Sequence, residues 1–190
     1  MLAFASMNTT TGSVPITLVC HPQSPAEAID RIEVLVDVAP DDTLTLAFVL
    51  ESDLSRLCIP EPRTSGPAEG LWRHTCFEAF VMAGEGPGYR EFNFSPSGEW
   101  TIHAFRGYRE GEKPDDDPGP EIKVRRTGDR LELDAAIRPD CLPPGRSLRL
   151  GLSAVLEHAD GVMSYWALRH PPGKPDFHHA DSFAMQLGLP

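Results

Sequence analysis

Prolines and glycines interrupt this chain along its whole length and argue against long helices. The 190 residues include 19 prolines and 16 glycines, spread through the sequence rather than gathered in one linker. Both residue types end regular elements, so their spread predicts many short elements joined by turns. Between them lie apolar or alternating runs rich in β-branched and aromatic residues, which suit a half-buried pleated sheet. The sequence therefore predicts an all-β fold.

These runs predict about eleven strands and almost no helix. The strands cover residues 16–20, 32–38, 43–50, 76–82, 90–94, 100–105, 122–126, 131–137, 147–156, 163–168 and 183–187. Helical turns are predicted only at 25–29 and 52–57. Because no helices are available for parallel crossovers, the strands are expected to pair antiparallel. The predicted architecture is a single antiparallel β-sandwich, immunoglobulin-like or jelly-roll-like, with a barrel as the alternative.

The length of the chain limits its domain organisation. A chain of 190 residues supports one sizeable core and is too short for two independent ones. We therefore expect one domain over residues 14–190, preceded by a flexible segment at 1–13. Surface loops are predicted at 60–69 and 110–120, the second of which carries a run of three aspartates between prolines.

The charge balance excludes several classes of partner. The 28 acidic and 17 basic residues give a net charge of −11, which repels a phosphate backbone, so we expect no nucleic-acid partner. No stretch approaches the roughly 20 apolar residues of a membrane helix, and the N-terminus lacks a secretory signal. The four cysteines are scattered, with no metal-binding spacing. We expect a reduced, cytoplasmic protein with no membrane partner.

Residues 76–94 carry the most informative polar pattern. A glycine-rich turn at 84–88 is short enough to join two strands as a hairpin. Successive side chains of a strand face opposite sides, so acidic, amide and hydroxyl groups of both strands would share one face. The predicted polar strip consists of Glu78, Glu91, Asn93 and Ser95, with Trp72 at its entrance and Trp100 beyond it.

This polar strip has two interpretations. One face of an antiparallel sheet is often simply solvated, and polar groups there need no function. The strip contains no lysine, however, and combines carboxylate, amide and hydroxyl groups with indole rings. Sugar hydroxyls need fixed donors and acceptors, and the apolar C–H faces of a sugar pack on aromatic rings. The composition favours a non-catalytic module that binds a small carbohydrate.

A second cluster lies in a proline-rich loop after the strand at 163–168. It contains His170, Asp176, Phe177, His178, His179 and Asp181. Adjacent side chains such as His178 and His179 usually diverge, and no known metal-ligand spacing is present, so no metal site is predicted. The cluster is instead predicted to be a loop that closes over a ligand or makes local hydrogen bonds.

Two groups of motifs resemble the bacterial DOMON-like proteins, a branch of the DOMON superfamily of β-sandwiches. They are LWRHTCFEAFV, YREFNFSPSGEW and FRGYR in the middle of the chain, and YWAL, PDFHH and DSF towards its end. The resemblance covers residues 32–187. It implies a DOMON-type sandwich, distantly similar to family 9 carbohydrate-binding modules and to haem-binding cytochrome domains.

The resemblance to the sugar-binding modules also implies contact residues. Trp72 matches a Trp before the central strand, Glu78 matches a Glu within it, and Asn93 and Ser95 match polar positions of the next strand. The second Trp of those modules has no counterpart in the late loop. The resemblance leaves Phe177, Trp166 or Trp100 to replace it.

The predicted contacts have separate roles in holding a sugar. Trp72 stacks on the sugar face, while Glu78 and Asn93 form hydrogen bonds with its hydroxyls. An arginine at the rim would keep Glu78 ionised and orient it. The full predicted ligand-binding set is Trp72, Arg73, Glu78, Arg90, Glu91, Asn93, Ser95, Trp100, Trp166, Phe177 and His178.

Three other functions remain open at this stage. Haem-binding relatives hold iron through one Met and one His, for which Met82 and His103 are the available pair. Glu78 and Glu91 on neighbouring strands could be the two carboxylates of a glycosidase. The third alternative is a protein-interaction domain without a small ligand. The carbohydrate hypothesis needs no cofactor.

Overall fold

Alternating burial along the central strands of one sheet shows how this chain folds. The structure is a computed structural model that describes residues 15–25, 27, 29–84, 86–112 and 118–189. In the strand Leu44–Ser52, every second side chain is buried: Leu44, Leu46, Phe48 and Leu50 are almost inaccessible to solvent. This period of two turns one face of the strand towards a core and the other towards solvent.

The smaller sheet contains five strands. They are β1 (Ile16–Thr17), β3 (Ile29–Val38), β4 (Leu44–Ser52), β9 (Glu121–Thr127) and β10 (Arg130–Ile137). Their order across the sheet is β1–β3–β4–β10–β9, and every neighbouring pair is antiparallel. The outer face of this sheet carries charged side chains, including an ion pair between Arg125 and Asp134.

The larger sheet contains eight strands. They are β2 (Val19–Cys20), β5 (Cys76–Ala83), β6 (Tyr89–Phe94), β7 (Trp100–Gly107), β8 (Glu110–Glu112), β11 (Ser147–Glu157), β12 (Met163–Ala167) and β13 (Met185–Gly188). Their order is β2–β12–β11–β5–β6–β7–β8. Strand β13 pairs with the first part of β11, while β12 pairs with the last part.

The two sheets pack face to face around one apolar core. The ring of Phe48 in the smaller sheet lies 5.0 Å from that of Phe77 and 6.3 Å from that of Phe94 in the larger sheet, measured between centroids. Within the described residues there are 13 strands and no α-helix, only four short 3₁₀ turns. The predicted antiparallel β-sandwich is confirmed, and the barrel alternative is wrong.

All eleven predicted strands overlap observed ones, with two differences. The run at 16–20 is two strands, because Leu18 is buried in the core and the chain crosses there from one sheet to the other. Strand β8 lies inside the loop predicted at 110–120, of which residues 113–117 lie outside the described part of the chain. All three residues of β8 are exposed, so the sequence has no apolar pattern there that would predict a strand.

The predicted turns and termini have mixed outcomes. The turn at 52–57 is a 3₁₀ helix at Leu54–Arg56, capped by the Asp53 side chain, which accepts a hydrogen bond from the Ser55 backbone N–H. Of the turn predicted at 25–29, residues 26 and 28 are outside the described part, and Ile29 begins β3. The segment at 1–13 also lies outside it.

The described residues contain neither a disulfide nor a helix that could span a membrane. None of the four cysteines, all of which the structure describes, forms a disulfide. No helix in the described ranges is long and apolar enough to cross a membrane.

Gly119 is the position on which the packing of Trp100 depends. Its backbone is left-handed, with φ at 79°, and a Cβ atom there would collide with the Trp100 indole. We expect Gly119→Ala to lower the free energy of unfolding by about 3 kcal/mol, because it adds left-handed strain to overpacking. Urea denaturation measures this loss.

Gly128 provides a matched control. It is also left-handed, with φ at 54°, but a Cβ there would meet open space. Gly128→Ala should therefore cost only about 1 kcal/mol from backbone strain. Equal losses in the two variants would show that the collision with Trp100 is relieved without cost.

Candidate functional site

The acidic side chains of the central hairpin lie on the outer face of the larger sheet. Strands β5 and β6 pair so that Glu78 is opposite Asn93 and Phe80 is opposite Glu91. Strand β7 places His103 opposite Glu91. Glu78 and Glu91 are therefore diagonal neighbours, whose backbone positions are roughly 7–8 Å apart and whose long side chains can interact.

A cavity of about 530 Å³ opens over this face. Its floor comes from five strands: Glu78 and Phe80 of β5, Glu91 of β6, His103 and Phe105 of β7, Val155 of β11, and Met163 and Tyr165 of β12. Its rim comes from loops and consists of Trp72, Arg73, Arg109, Pro175, Phe177 and His178. The volume is within the range of small-molecule pockets, roughly 300–1,000 Å³.

Glu78 is a nearly inaccessible carboxyl group in the floor of the cavity. The residue is 2% exposed, and its Oε2 accepts a hydrogen bond from the Ser153 hydroxyl at 3.0 Å. Burial, and secondly the charge of Glu91, raise the pKa of Glu78 to about 8. The bond from Ser153 offsets only part of this rise. Glu78 therefore keeps its proton at neutral pH.

Glu91 is better supported in its ionised form. Its Oε1 accepts a hydrogen bond from the Asn93 amide at 2.8 Å. Burial raises the pKa of Glu91 above its ordinary value, and the Asn93 bond and the charges of His103 and Arg109 offset only part of this rise. Because Glu91 has these additional partners, it is the member of the pair that loses its proton first.

His178 extends over the cavity from the loop after β12. Burial, assisted by the charge of Arg109, lowers the pKa of His178 to about 4, so the ring is neutral at neutral pH. Its Nδ1 lies 2.8 Å from the Tyr89 hydroxyl, whose oxygen accepts a bond from the Arg109 backbone N–H. Tyr89 therefore donates to Nδ1, and the Nε2–H of His178 faces Glu91. The 3.7 Å between Nε2 and Glu91 Oε2 is too long for a hydrogen bond and leaves that N–H available to a ligand.

Asp176 fixes the loop that carries His178. Its carboxylate accepts hydrogen bonds from the Tyr108 hydroxyl at 2.6 Å, the Arg109 guanidinium at 2.9 Å and the His178 backbone N–H at 3.2 Å. Its carbonyl accepts a bond from Ser182. Burial alone would raise the pKa of Asp176, but the bonds from Tyr108 and Arg109 lower it overall. The rim of the cavity is therefore preformed.

Aromatic rings make the wall beneath this loop rigid. The ring of Phe80 packs edge-on against His178 at 5.1 Å and lies 6.4 Å from Phe177. Tyr89 stacks on Phe105 with centroids 4.7 Å apart and an angle of 11°. Such pairs add to the free energy gained by burial and restrict ring motion.

Trp72 lies at the rim of the cavity, and much of its indole is exposed to solvent. It is 48% exposed and belongs to the 3₁₀ turn Leu71–Arg73. Gly70 precedes this turn with a left-handed backbone, φ 74°. The Arg73 guanidinium lies over the indole, 5.0 Å from its centroid. The remaining indole surface is an apolar platform at the mouth of the cavity.

The structure brings six of the predicted contacts together. These are Trp72, Arg73, Glu78, Glu91, Phe177 and His178, all of which line the cavity. Asn93 is fully buried and positions Glu91 from within the sheet. Ser95 faces a second cavity of about 590 Å³, which shares Arg73 with the first.

Arg90, Trp100 and Trp166 do not reach the cavity, and this corrects the prediction that they contact the ligand. Each occupies a core-facing position of its strand, opposite an apolar residue of the neighbouring strand. Trp166 is buried and Trp100 packs against the core, while Arg90 donates a hydrogen bond to the Cys141 carbonyl. The two indoles were assigned by residue type, although strand alternation places both in the core.

Met82 and His103, the ligand pair of the haem alternative, line different cavities. His103 belongs to the cavity described above. Met82 faces a neighbouring cavity of about 510 Å³, and its sulfur lies 4.0 Å from an Arg149 nitrogen. These residues do not fit the Met and His ligand set that the resemblance implied for haem.

The remaining histidines of the late loop support local structure. His170 Nε2 lies 2.8 Å from the Val19 carbonyl. His179 Nδ1 accepts a bond from the Asp181 backbone N–H and caps the 3₁₀ turn Ala180–Ser182. Within the described part of the chain, no group of three or more His, Cys, Asp or Glu side chains could hold a metal ion.

The cavity also contains residues that the sequence patterns did not single out as contacts. They are Phe80, Phe105, Arg109, Val155, Met163, Tyr165 and Pro175. Strand alternation carried a usable signal for two of these: Phe80 shares a face with Glu78, and Tyr165 faces away from Trp166. Arg109 had no such signal, because its place depends on a turn after β7 with a left-handed backbone, φ 54°.

The fold is similar to that of proteins described as carbohydrate-binding. A candidate carbohydrate-binding protein from Bacteroides uniformis aligns with a TM-score of 0.66 and 15% identity, over 93% of this chain and 85% of that chain. A family 9 carbohydrate-binding module from Caldicellulosiruptor kristjanssonii, in complex with glucose, aligns with a TM-score of 0.60 and 10% identity, over 84% of this chain and 76% of that chain. A family 9 module from the same organism, in complex with cellotriose, aligns with a TM-score of 0.61 and 9% identity, over 93% of this chain and 82% of that chain. These low identities establish a shared fold. The sequence matches no protein-family model and no curated protein.

Replacing Glu78 by glutamine should change how stability depends on pH. The ordinary pKa of a Glu is 4.5, whereas folding raises that of Glu78 to about 8. Between these values the folded state binds the extra proton, so the free energy of unfolding falls as pH rises. Glu78→Gln removes this fall, and we expect it to be more stable than wild type by a few kcal/mol above pH 8. Urea denaturation across the pH range measures both profiles.

Two features identify Glu78 as the source of this dependence. His178, whose pKa is lowered from 6.5 to about 4, gives the opposite slope and only below pH 6.5. The interval from pH 6.5 to 8 therefore reports on the carboxyl pair. Glu121→Gln, an exposed position of β9, should keep the wild-type profile. If the free energy of unfolding of Glu78→Gln fell with rising pH as steeply as that of wild type, the assignment of this dependence to Glu78 would be wrong.

Proposed function

We propose that this protein is a non-catalytic binding module that holds a small carbohydrate in the cavity on the outer face of its larger sheet. One observation carries the proposal: a single cavity of about 530 Å³ combines the half-exposed Trp72 with two buried carboxyl groups. Sugars need this combination of an apolar platform and fixed polar partners. The fold similarity to modules in complex with glucose and cellotriose supports the proposal.

The polar groups of the floor suit sugar hydroxyls. A hydroxyl both donates and accepts, and a protonated Glu78 can do the same, while an ionised Glu91 only accepts. The Nε2–H of His178 adds a donor from above. In the proposed complex the sugar ring stacks on Trp72 and its hydroxyls bond to these three groups.

The rigidity of the rim supports affinity. Loops that must be ordered on binding cost conformational entropy. Here the bonds of Asp176 to Tyr108 and Arg109 already fix the loop of Phe177 and His178. The ligand therefore meets a preformed site and the module retains most of its contact free energy as affinity.

We further infer that the chain belongs to the DOMON superfamily. The inference rests on the NFSPSG and PDFHH motifs of the sequence. The first motif ends β6 and forms a turn in which Ser95 Oγ accepts a hydrogen bond from the Ser97 backbone N–H. The second motif supplies Asp176, Phe177 and His178 to the rim. Both motifs have structural roles beside the cavity.

Trp72→Ala tests the proposed stacking. The variant should weaken binding of a hexose at least tenfold, about 1.4 kcal/mol, because it removes the apolar platform. It should change the free energy of unfolding by less than about 1 kcal/mol, since the indole is 48% exposed. Calorimetric titration against mono- and disaccharides measures affinity, and urea denaturation measures stability.

Trp166→Phe is the matched control. Its indole is buried on the core side, where Nε1 donates a hydrogen bond to Ser164. We expect this variant to lose stability and to keep its affinity for the sugar. A wild-type protein that is folded and binds none of the sugars at millimolar concentration would refute the proposed function.

Glycoside hydrolysis is a second candidate, favoured by the raised pKa of Glu78 beside Glu91. A protonated carboxyl and an ionised one are the acid and base that cleave a glycosidic bond. If the site is catalytic, wild type releases nitrophenol from a nitrophenyl glycoside and Glu78→Gln does not. No release by wild type, or equal release by the variant, rejects this role for Glu78.

A further inference from the structure

The two carboxyl groups of the cavity have neutral hydrogen-bond donors but no ion-pair partner. Glu78 accepts a bond from Ser153, and Glu91 accepts one from Asn93. In the part of the chain that the structure describes, no Arg or Lys lies within ion-pair distance of either group, and only the neutral His178 comes within 3.7 Å of Glu91. Buried carboxylates are normally paired with a cation, so this arrangement is open to a positively charged ligand group.

The charged groups around the cavity make no direct ion pair with the two carboxyls, although the charges of His103 and Arg109 lower the pKa of Glu91 from a distance. The Arg109 guanidinium pairs with Asp176 at 2.9 Å. Arg73 lies over the Trp72 indole at the rim. His103 lies opposite Glu91 on β7, and its ring is 6.4 Å from that of Phe105. None of these three groups forms an ion pair with the carboxyls of the floor.

Aromatic faces surround the same space. Rings from both the floor and the rim line the cavity together with the two carboxyls: Trp72, Phe80, Phe105, Tyr165 and Phe177. The negative faces of aromatic rings attract cations, and a carboxylate accepts strong, charged hydrogen bonds from an ammonium group. A bare metal ion is less well served, because the described residues provide no group of three or more ligating side chains.

We propose that the ligand of this cavity carries a protonated amino group that lies between Glu78 and Glu91, and that the preferred sugar is an amino sugar. This inference rests on the proposed carbohydrate-binding function and names its ligand class. The sugar ring stacks on Trp72, and the ammonium group donates hydrogen bonds to the two carboxyls. A uronic acid is disfavoured, because its carboxylate would face two acidic groups.

Binding of an ammonium group should change the protonation state of Glu78. Glu78 holds a proton before binding, because burial and the charge of Glu91 raise its pKa to about 8. An ammonium group at hydrogen-bond distance favours the ionised carboxylate, so Glu78 releases that proton to the buffer as the ligand binds. Binding of a neutral sugar leaves the proton on Glu78. Among the described residues, the other titratable or charged groups that interact with this position are Cys76, Glu91, His103, Arg109 and His178, and Arg73 and Tyr165 also line the cavity.

Matched pairs of sugars test the inference by calorimetry. Glucosamine, galactosamine and mannosamine are each compared with their neutral parent hexose, with N-acetylglucosamine as an uncharged control at the same ring position. At least one amino sugar should bind roughly 10- to 100-fold more tightly than its parent, as expected for a charged hydrogen bond. At about pH 6, where the free amino sugar is already protonated and Glu78 still holds its proton, its binding enthalpy should vary with the ionisation enthalpy of the buffer, whereas that of the parent should not.

Two variants locate the effect. In Glu78→Gln the preference for the amino sugar and the buffer dependence should both disappear, because the variant cannot ionise. Glu121→Gln removes one carboxylate from the exposed surface of β9 and should keep both. If Glu78→Gln does not fold, the buffer dependence of wild type still decides whether a proton is released.

The outcomes separate this inference from the proposed function. If neutral hexoses bind and no amino sugar binds more tightly, the binding module stands and the ammonium inference is wrong. If no sugar binds, titration with ethanolamine at neutral pH decides further. A response to ethanolamine keeps the cation site and rejects the carbohydrate, whereas no response overturns both proposals.

Discussion

Burial of two carboxyl groups that have no ion-paired cation among the described residues is the constraint on which the rest of this structure depends. Removing an ionised carboxylate from water costs several kcal/mol unless it is paired. The protein reduces this cost by keeping a proton on Glu78 and by burying Asn93 completely beside Glu91. The Asn93 amide is fully inaccessible, and it donates its hydrogen bond to Glu91. Asn93 is therefore best understood as a support for Glu91 rather than as a ligand contact.

The covering of the carboxyls makes their burial possible. His178 of the late loop lies over Glu91, with its Nε2 3.7 Å from the carboxyl, and so helps to keep that group from solvent and its pKa raised. The loop keeps its place through contacts between parts of the chain that are far apart in sequence, Tyr108 and Arg109 with Asp176. Stability and function oppose each other here, because the same loop that shapes the cavity also keeps two acidic groups out of water.

Sequence patterns predicted the fold and half of the site for one physical reason. Strand alternation is a local property, so the hairpin pattern placed Glu78, Glu91 and Asn93 on one face correctly. The errors occurred where residue type was used in place of alternation: Trp100 and Trp166 are aromatic, but both lie on the core side. The position of Arg109 depends on long-range contact with Asp176, and the exposed strand β8 depends on pairing at the edge of the sheet. Neither leaves a periodic signal in the sequence.

The separation of the two faces explains how the fold can be shared without the site. Core positions such as Phe77 and Phe94 face the smaller sheet and hold the sandwich together. The intervening positions, including Glu78, contribute to the outer face and can change with little effect on that packing. Structures only 9–15% identical therefore keep the same sandwich. A ligand for the proposed module must accordingly be deduced from this chain's own outer face, where the carboxyl pair is the feature that such a ligand would have to satisfy.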